Sequence, residues 1–272
     1  MASFQEHDPL PTNRQSEKRS PLLLNVHYLP QFVDASALAE SVVVVVDQLR
    51  ASSTICHALS AGAKCVMPFV EIDETLSMAE EFSPGEFVLG GERGGKRIPG
   101  FQLGNSPTEY TPEKVFGQTV LFTTTNGARA MDHARLAERV LIGATVNRQA
   151  IVTELADTRR VDVLCAGTNG AVTREDILAA GAIAEGLLHR FEDEYETNEW
   201  ADAARREWQE LLGTAHALGR SPSEQLTREL RETTGGKNLL DLGYDFDLDI
   251  CAQLDTLAIV PELDLATGAI RI

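Results

Sequence analysis

The chain has 272 residues, 43% hydrophobic and 24% charged, a balance that suits a globular protein with a full core, as one large domain or two intertwined lobes. Its 41 acidic residues against 24 basic ones (formal net charge -17) argue against an extended nucleic-acid footprint and against an anionic membrane surface, so any anionic ligand needs a local cationic pocket. Four well-separated cysteines without a C-x-x-C pair, and no apolar run long enough for a signal peptide or a membrane span, lead us to expect a reduced, cytoplasmic protein.

Residues 1–20 read as a flexible polar tail, and 21–272 as one α/β unit. Residues 41–46 hold five consecutive valines closed by Asp47; β-branched residues without alternation indicate a strand buried on both faces. Helical spacing follows over 51–61. Residues 90–104 read GGERGGKRIPGFQLG, in which six of fifteen residues are glycine. This segment is expected to be a glycine-rich loop where Arg93, Lys96 and Arg97 meet a small polyanion, phosphate first among them. Gly90, Gly95 and Lys96 nearly match a P-loop, but Arg97 stands where Ser or Thr should hold Mg²⁺, and Pro99 and Gly100 oppose the required helix.

A second strand is expected over 119–122, followed by Thr123, Thr124, Thr125, Asn126 and Gly127 and a helix from about Ala128. A short strand over 139–143 precedes a helix beginning near Asn147. A further strand over 161–166 leads through Gly167, Thr168, Asn169 and Gly170 into a helix over 174–189. Residues 192–231, with both tryptophans, read as two charged amphipathic helices joined near 219–222, a peripheral insertion with solvated charges. The chain is expected to close on a strand through Ile259 and Val260.

Repeated strand–loop–helix units imply an α/β protein with a largely parallel or mixed sheet flanked by helices, and ligands in such folds collect beyond the carboxyl ends of the strands. Asp47, the Thr/Asn loop and the 167–170 loop share that edge. Asp47 there suits a hard cation, or caps a turn. Arg50, at a helix entry with Ser52, Ser53 and Thr54, suits an anion, and Thr124 and Asn126 can donate to anion oxygens. Asp176 serves either the site or a capping box with Thr173. The histidines lack metal-ligand spacing, His57 reads as packing, and the absence of G-x-S-x-G disfavours a serine hydrolase.

The segments VVVVVDQLRASSTI, LGGERGGKRIPGFQLGNSP, TTTNGARA, CAGTNGAVTREDILAAGA and GGKNLLDLGYDFDLDICAQLD, in this order from Val42 towards Pro261, resemble the 2-phosphosulfolactate phosphatase family. The resemblance implies a two-lobed fold with the site between lobes and Mg²⁺-dependent hydrolysis of a small anionic phosphomonoester. The substrate it implies is (R)-2-phosphosulfolactate, a step of coenzyme M biosynthesis in methanogens. Gln102 stands where an acid is expected, Gln48 where an apolar residue is expected, and Ala128 where Thr is expected. The candidate catalytic residues are Asp47, Arg50, Glu92 and Asp176, with Asp47, Glu92 and Asp176 as metal ligands. Arg93, Lys96, Arg97, Asn105, Ser106, Thr124 and Asn126 form the candidate substrate-binding set. Gln48-Leu49 lacks the second Asp that haloacid-dehalogenase-type enzymes place two positions on, which favours metal-activated water over an aspartyl-phosphate on Asp47. The rival readings are a non-catalytic phosphoanion-binding protein and a nucleotide-dependent phosphotransferase. Homo-oligomerisation is left open.

Overall fold

The five valines, all buried, form the middle of a sheet. The computed structural model describes residues 21–190 and 195–272. Its strands are β1 (Leu22–His27), β2 (Val42–Val46), β3 (Cys65–Phe69), β4 (Phe87–Arg93), β5 (Lys96–Arg97), β6 (Thr119–Thr123), β7 (Arg139–Gly143), β8 (Arg160–Cys165), β9 (Tyr195–Thr197), β10 (Glu262–Leu263) and β11 (Ile270–Arg271). They form one mixed 11-stranded sheet in the order β5-β4-β6-β3-β11-β10-β7-β2-β8-β1-β9.

That order resolves into two parallel blocks, the two lobes. One is β7-β2-β8-β1-β9 and the other β3-β6-β4. The antiparallel hairpin β10–β11 bridges them, β10 pairing with β7 and β11 with β3. The helices are α1 (Ala51–Ser60), α2 (Ile72–Ala79), α3 (Pro112–Val115), α4 (Asn126–His133), α5 (Arg148–Glu154), α6 (Arg174–Arg190), α7 (Glu199–Ala217), α8 (Pro222–Glu232), α9 (Thr234–Asp241) and α10 (Asp245–Cys251).

Side chains alternate across a strand, so β2 feeds two cores. Val43 and Val45 pack with Ile55 of α1 and Met131 of α4, whereas Val42, Val44 and Val46 pack with Ile183 and Leu187 of α6. Burying each such side chain contributes about 1.5–3 kcal/mol, which explains a strand with no polar face.

Two expectations need correction. Residues 90–104 do not form an open loop: β4 continues through Gly91 to Arg93, turns at Gly94 and Gly95, and returns as β5, pairing Glu92 with Arg97 and Arg93 with Lys96. Gly94 (φ 60°) and Gly95 (φ 79°) supply the left-handed turn that such a hairpin needs. No strand forms at Ile259 and Val260. Pro261 offers only its carbonyl, which accepts the Ile142 N–H at 2.9 Å, and strand pairing begins at Glu262.

The expected tail (1–20) and the start of the expected insertion (residues 192–194) lie outside the described residues. The insertion's two helices are α7 and α8, and they carry a core of their own: Trp208 and Leu211 pack with Leu178 and Ala182 of α6, and Leu226 and Leu230 join them. Part of the charge is spent on cross-helix pairs, Arg174 with Glu207 and Glu229, and Arg205 with Glu185.

Candidate active site

A cleft of about 370 Å³ opens beyond the carboxyl ends of β2, β4, β6 and β8. Asp47, Arg50, Thr168 and Asn169 line it from one parallel block, and Glu92, Thr124 and Asn126 from the other. Asn105 adds a side chain from the segment after the hairpin. α9 and the turn after it cover the opening with Gly235, Asn238, Asp241 and Leu242.

Asp47 ends the valine strand, and its Oδ1 accepts the Ala51 N–H at 3.1 Å. The Gly127 N–H also donates to this carboxylate. A Cβ on Gly127 would lie 2.9 Å from the Ala51 Cβ and 3.0 Å from Asp47 Oδ2, so only glycine lets the start of α4 approach this closely. Burial raises the Asp47 pKa from its ordinary range to about 7; the Ala51 N–H works against the rise, and the charges of Glu92 and Glu175 add to it.

Glu92 is held at the turn of the hairpin, where its Oε2 accepts the Gly95 N–H at 2.7 Å, and its Oε1 faces the Thr125 N–H at 3.5 Å. Arg50 donates to Asp247 Oδ2 at 2.5 Å and to the Gly95 carbonyl at 2.9 Å, with its guanidinium 4.3 Å from the centre of the Tyr244 ring. Asn126 Oδ1 accepts the Asn169 N–H at 3.1 Å, joining the β6 and β8 loops across the cleft. The Asn105 Oδ1 is buried with no hydrogen-bond partner within the protein.

Other candidates are placed elsewhere. Asp176 lies behind the cleft wall, where Oδ1 accepts the Gln48 N–H at 2.8 Å and Oδ2 accepts the Gly167 N–H at 2.9 Å and the Thr173 hydroxyl at 3.2 Å. It ties the ends of β2 and β8 together. Burial, then the charges of Asp47 and Glu175, push its pKa well up. Arg93 points sideways from the hairpin, donating to the Val70 carbonyl at 2.6 Å and to the Thr125 hydroxyl. Lys96 and Arg97 are exposed on β5, and neither lines the cleft. The expected convergence of four cations is therefore corrected to one, Arg50: Arg93 is held by the Val70 carbonyl and the Thr125 hydroxyl, and Lys96 and Arg97 stay exposed on β5. Ser106 sits beneath the cleft lining and donates to Asp247 Oδ1 at 2.6 Å. Gln102 is exposed and accepts the Leu89 N–H at 2.9 Å, away from the cleft. Gln48 is buried, bonding Thr145 and the Cys251 carbonyl.

Sequence reading passed over Glu175 and the α9–α10 segment. Glu175 is buried, accepts the Gly235 N–H at 3.1 Å, and has an Oε2 without a partner; burial raises its pKa. Both lie in segments that resemble the family, and the paired glycines Gly235 and Gly236 carried a local signal: a Cβ at Gly235 would lie 2.1 Å from Glu175 Oε1.

The lining therefore carries Asp47, Glu92 and Asp241 against a single Arg50 that is already paired. A cleft of this sign repels a phosphate ester by itself. Among the described residues no group of three His, Cys, Asp or Glu side chains is arranged to hold a metal ion, so the expected set of Asp47, Glu92 and Asp176 does not come together. Mg²⁺ needs less: it is commonly held by one or two carboxylates, with water and substrate phosphate completing its shell. Asp47, Glu92 and the unpartnered Asn105 oxygen are hard donors of that kind, and two buried, mutually repelling carboxylates gain from a divalent cation. The residues present fit Mg²⁺ on those terms.

The fold is an α/β sheet whose two parallel blocks meet at a cleft lined by acids, hydroxyls and helix N-termini, and it lacks the Ser or Thr that a P-loop would place after Lys96. Residues 27–265 match the family description 2-phosphosulpholactate phosphatase, and the chain belongs to that family. A Symbiobacterium thermophilum protein named probable 2-phosphosulfolactate phosphatase is 41% identical over 228 residues, covering 84% of this chain and 93% of its own. Proteins of the same name from Caldanaerobacter subterraneus subsp. tengcongensis and Synechococcus sp. (strain RCC307) are 38% and 34% identical, covering 83% and 92% of this chain and 89% and 99% of theirs. No helix among the described residues is long and apolar enough to cross a membrane.

Proposed function

We propose that this chain hydrolyses a small acidic phosphomonoester in the inter-block cleft with the help of Mg²⁺, and that (R)-2-phosphosulfolactate, giving sulfolactate and phosphate, is its substrate. The observation that carries this reading is the meeting of Asp47 and Glu92 from different blocks in one cleft with the Thr124 and Asn126 loop. The names of the relatives support the substrate.

Asp47, Glu92 and Asn105 would hold the metal, which when bound neutralises phosphoryl oxygens and acidifies water. Thr124 and Asn126, at the N-terminal end of α4, present donors for phosphate oxygens where the helix dipole favours negative charge. Arg50 presents its unused N–H groups to an acidic group of the ester. α9 borders the cleft with Gly235, Asn238 and Leu239, beside the residues that would meet the ester.

A phosphate-release screen over small phosphoesters tests the proposal. Release from phosphosulfolactate with Mg²⁺, lost in chelator and restored by Mg²⁺, is the expected result. Full release in excess chelator would remove the metal from the account. Release confined to nucleotides would favour a phosphotransferase site, and binding without release a phosphoanion-binding protein.

A further inference from the structure

Arg50 is the single cation among the described residues lining the cleft, and it is engaged on three sides before any ligand arrives. Asp247 of α10 takes Nη1 at 2.5 Å, the Gly95 carbonyl takes Nη2 at 2.9 Å, and Tyr244 stacks at 4.3 Å. Asp247 is itself fixed, because its other oxygen accepts the Ser106 hydroxyl at 2.6 Å. The Arg50 and Asp247 side chains are only 2% and 3% exposed.

A carboxylate with both oxygens committed does not reach a substrate. A guanidinium has five N–H donors in a rigid plane, so Arg50 keeps three for a ligand after its bonds to Asp247 and Gly95. A buried ion pair is a weak source of stability, because desolvation offsets most of its attraction. Its clear effect is directional.

We propose that Asp247 is a positioning residue, which with Ser106 behind it holds the Arg50 guanidinium in the plane where its remaining N–H groups meet a ligand oxyanion. The inference deepens the phosphatase reading and rests on it for its kinetic test. Since the pair is close to neutral, Arg50 acts through the direction of its donors and not through net charge. α10, which follows α9 at the cleft and lies far in sequence from Arg50, thereby sets the geometry of the anion contact.

The test is a double-mutant cycle of Asp247→Asn with Arg50→Ala, measured as phosphate release from phospholactate, with folding checked by circular dichroism. Asp247→Asn should lower kcat/KM at least tenfold. The Arg50→Ala/Asp247→Asn double variant should be no worse than Arg50→Ala alone, since Asp247 acts through Arg50. Ser106→Ala, a gentler change, should lower kcat/KM severalfold and also lose its effect once Arg50 is Ala. Wild-type kcat/KM in Asp247→Asn, or an equal loss with and without Arg50, would overturn the inference.

If the wild type releases no phosphate from any acidic ester, the phosphatase reading falls and a second readout decides the inference. The Arg50 Nη1–H NMR signal, identified by its absence in Arg50→Ala, should be protected from exchange by its bond to Asp247 and shift on addition of inorganic phosphate with Mg²⁺. In Asp247→Asn it should lose that protection, and unchanged protection there would refute the positioning role.

Discussion

Asp162 and Asp47 are both buried aspartates, on β8 and at the end of the neighbouring parallel strand β2, yet their carboxyls shift in opposite directions. Asp162 stands opposite Val43 of β2, and Asp47 lies four residues further along that strand, about 13 Å at ~3.3 Å per residue. Burial alone would raise the pKa of Asp162, but the His27 ring at 2.7 Å and the charge of Arg160, 3.0 Å from Oδ2, outweigh it and hold the carboxyl below its usual range. Asn25 adds a further hydrogen bond at 3.1 Å. Asp47 pairs with no cation among the described residues, so burial raises its pKa and the charges of Glu92 and Glu175 add to the rise. One acid is satisfied by the fold. The other is met by the backbone N–H groups of Ala51 and Gly127 alone.

The largest expected effect tests that distinction at the site. Asp47→Asn should lower phosphate release by about 10²–10⁴-fold, the range for loss of a group acting at the reacting centre. Thermal stability of the metal-free protein should hold or rise, because a repelled carboxylate is removed. A drop in stability matching that of an Asp162 variant would erase the contrast.

Asp162→Ala should do the reverse. Breaking a buried pair by removing one partner costs about 3–5 kcal/mol, to be read by urea unfolding, while kcat per folded molecule stays near wild type. A large loss of kcat in folded protein would place Asp162 in the reaction after all.

Their pH signatures should diverge as well. A carboxyl whose folded pKa is raised contributes stability that is fully present below its unfolded pKa, near 3.9, and lost as pH rises through the folded value. For Asp47 that window runs from about 4 to about 7, and the raised pKa values of Asp176 and Glu175 act in the same direction. Asp162, with a depressed folded pKa, contributes stability above pH ~3.9 that is lost as pH falls through its folded value. Unfolding curves of chelated protein should therefore weaken from pH 4 to 7, and Asp47→Asn should flatten that slope. An unchanged slope in the variant would assign it to other groups.

The smallest effect separates the cation that lines the cleft from those that do not. Arg50→Ala should lower kcat/KM at least tenfold, whereas Lys96→Ala and Arg97→Ala should change it less than about twofold, as solvated charges do. Comparable losses at all three would mean that β5 folds over the ligand.

The sequence showed the centre of the fold better than its margins. The valine run is legible because a strand buried on both faces leaves no alternative pattern, and Asp47 stands out as the first polar residue beyond it. β1 is harder to see: Asn25 and His27, which alternate with the buried Leu24 and Val26, satisfy Asp162 of β8, 137 and 135 residues further along the chain. β10 and β11, two residues each, are too short to carry any period. Within the site, Glu92, Thr124 and Asn126 could be found because strand ends in a parallel sheet share an edge. The facing of Arg93, Lys96 and Arg97 could not, since glycine content announces a turn without saying which way the flanking strands present their side chains. The contributions of Asp247 and Gly235 depend on where α9 and α10 dock, which local pattern does not encode.

The bridge formed by β10 and β11 bears on the order in which the molecule assembles. Without residues 262–271, β3 and β7 each become an open edge with unpaired backbone groups, the kind of surface on which chains stick to one another. Emergence from the ribosome runs from the N-terminus, so both parallel blocks are synthesised before the segment that joins them, and a site shared between the blocks is the last part to mature. A form that lacks this hairpin should therefore lose the alignment of the two blocks that share the cleft and become adhesive at once.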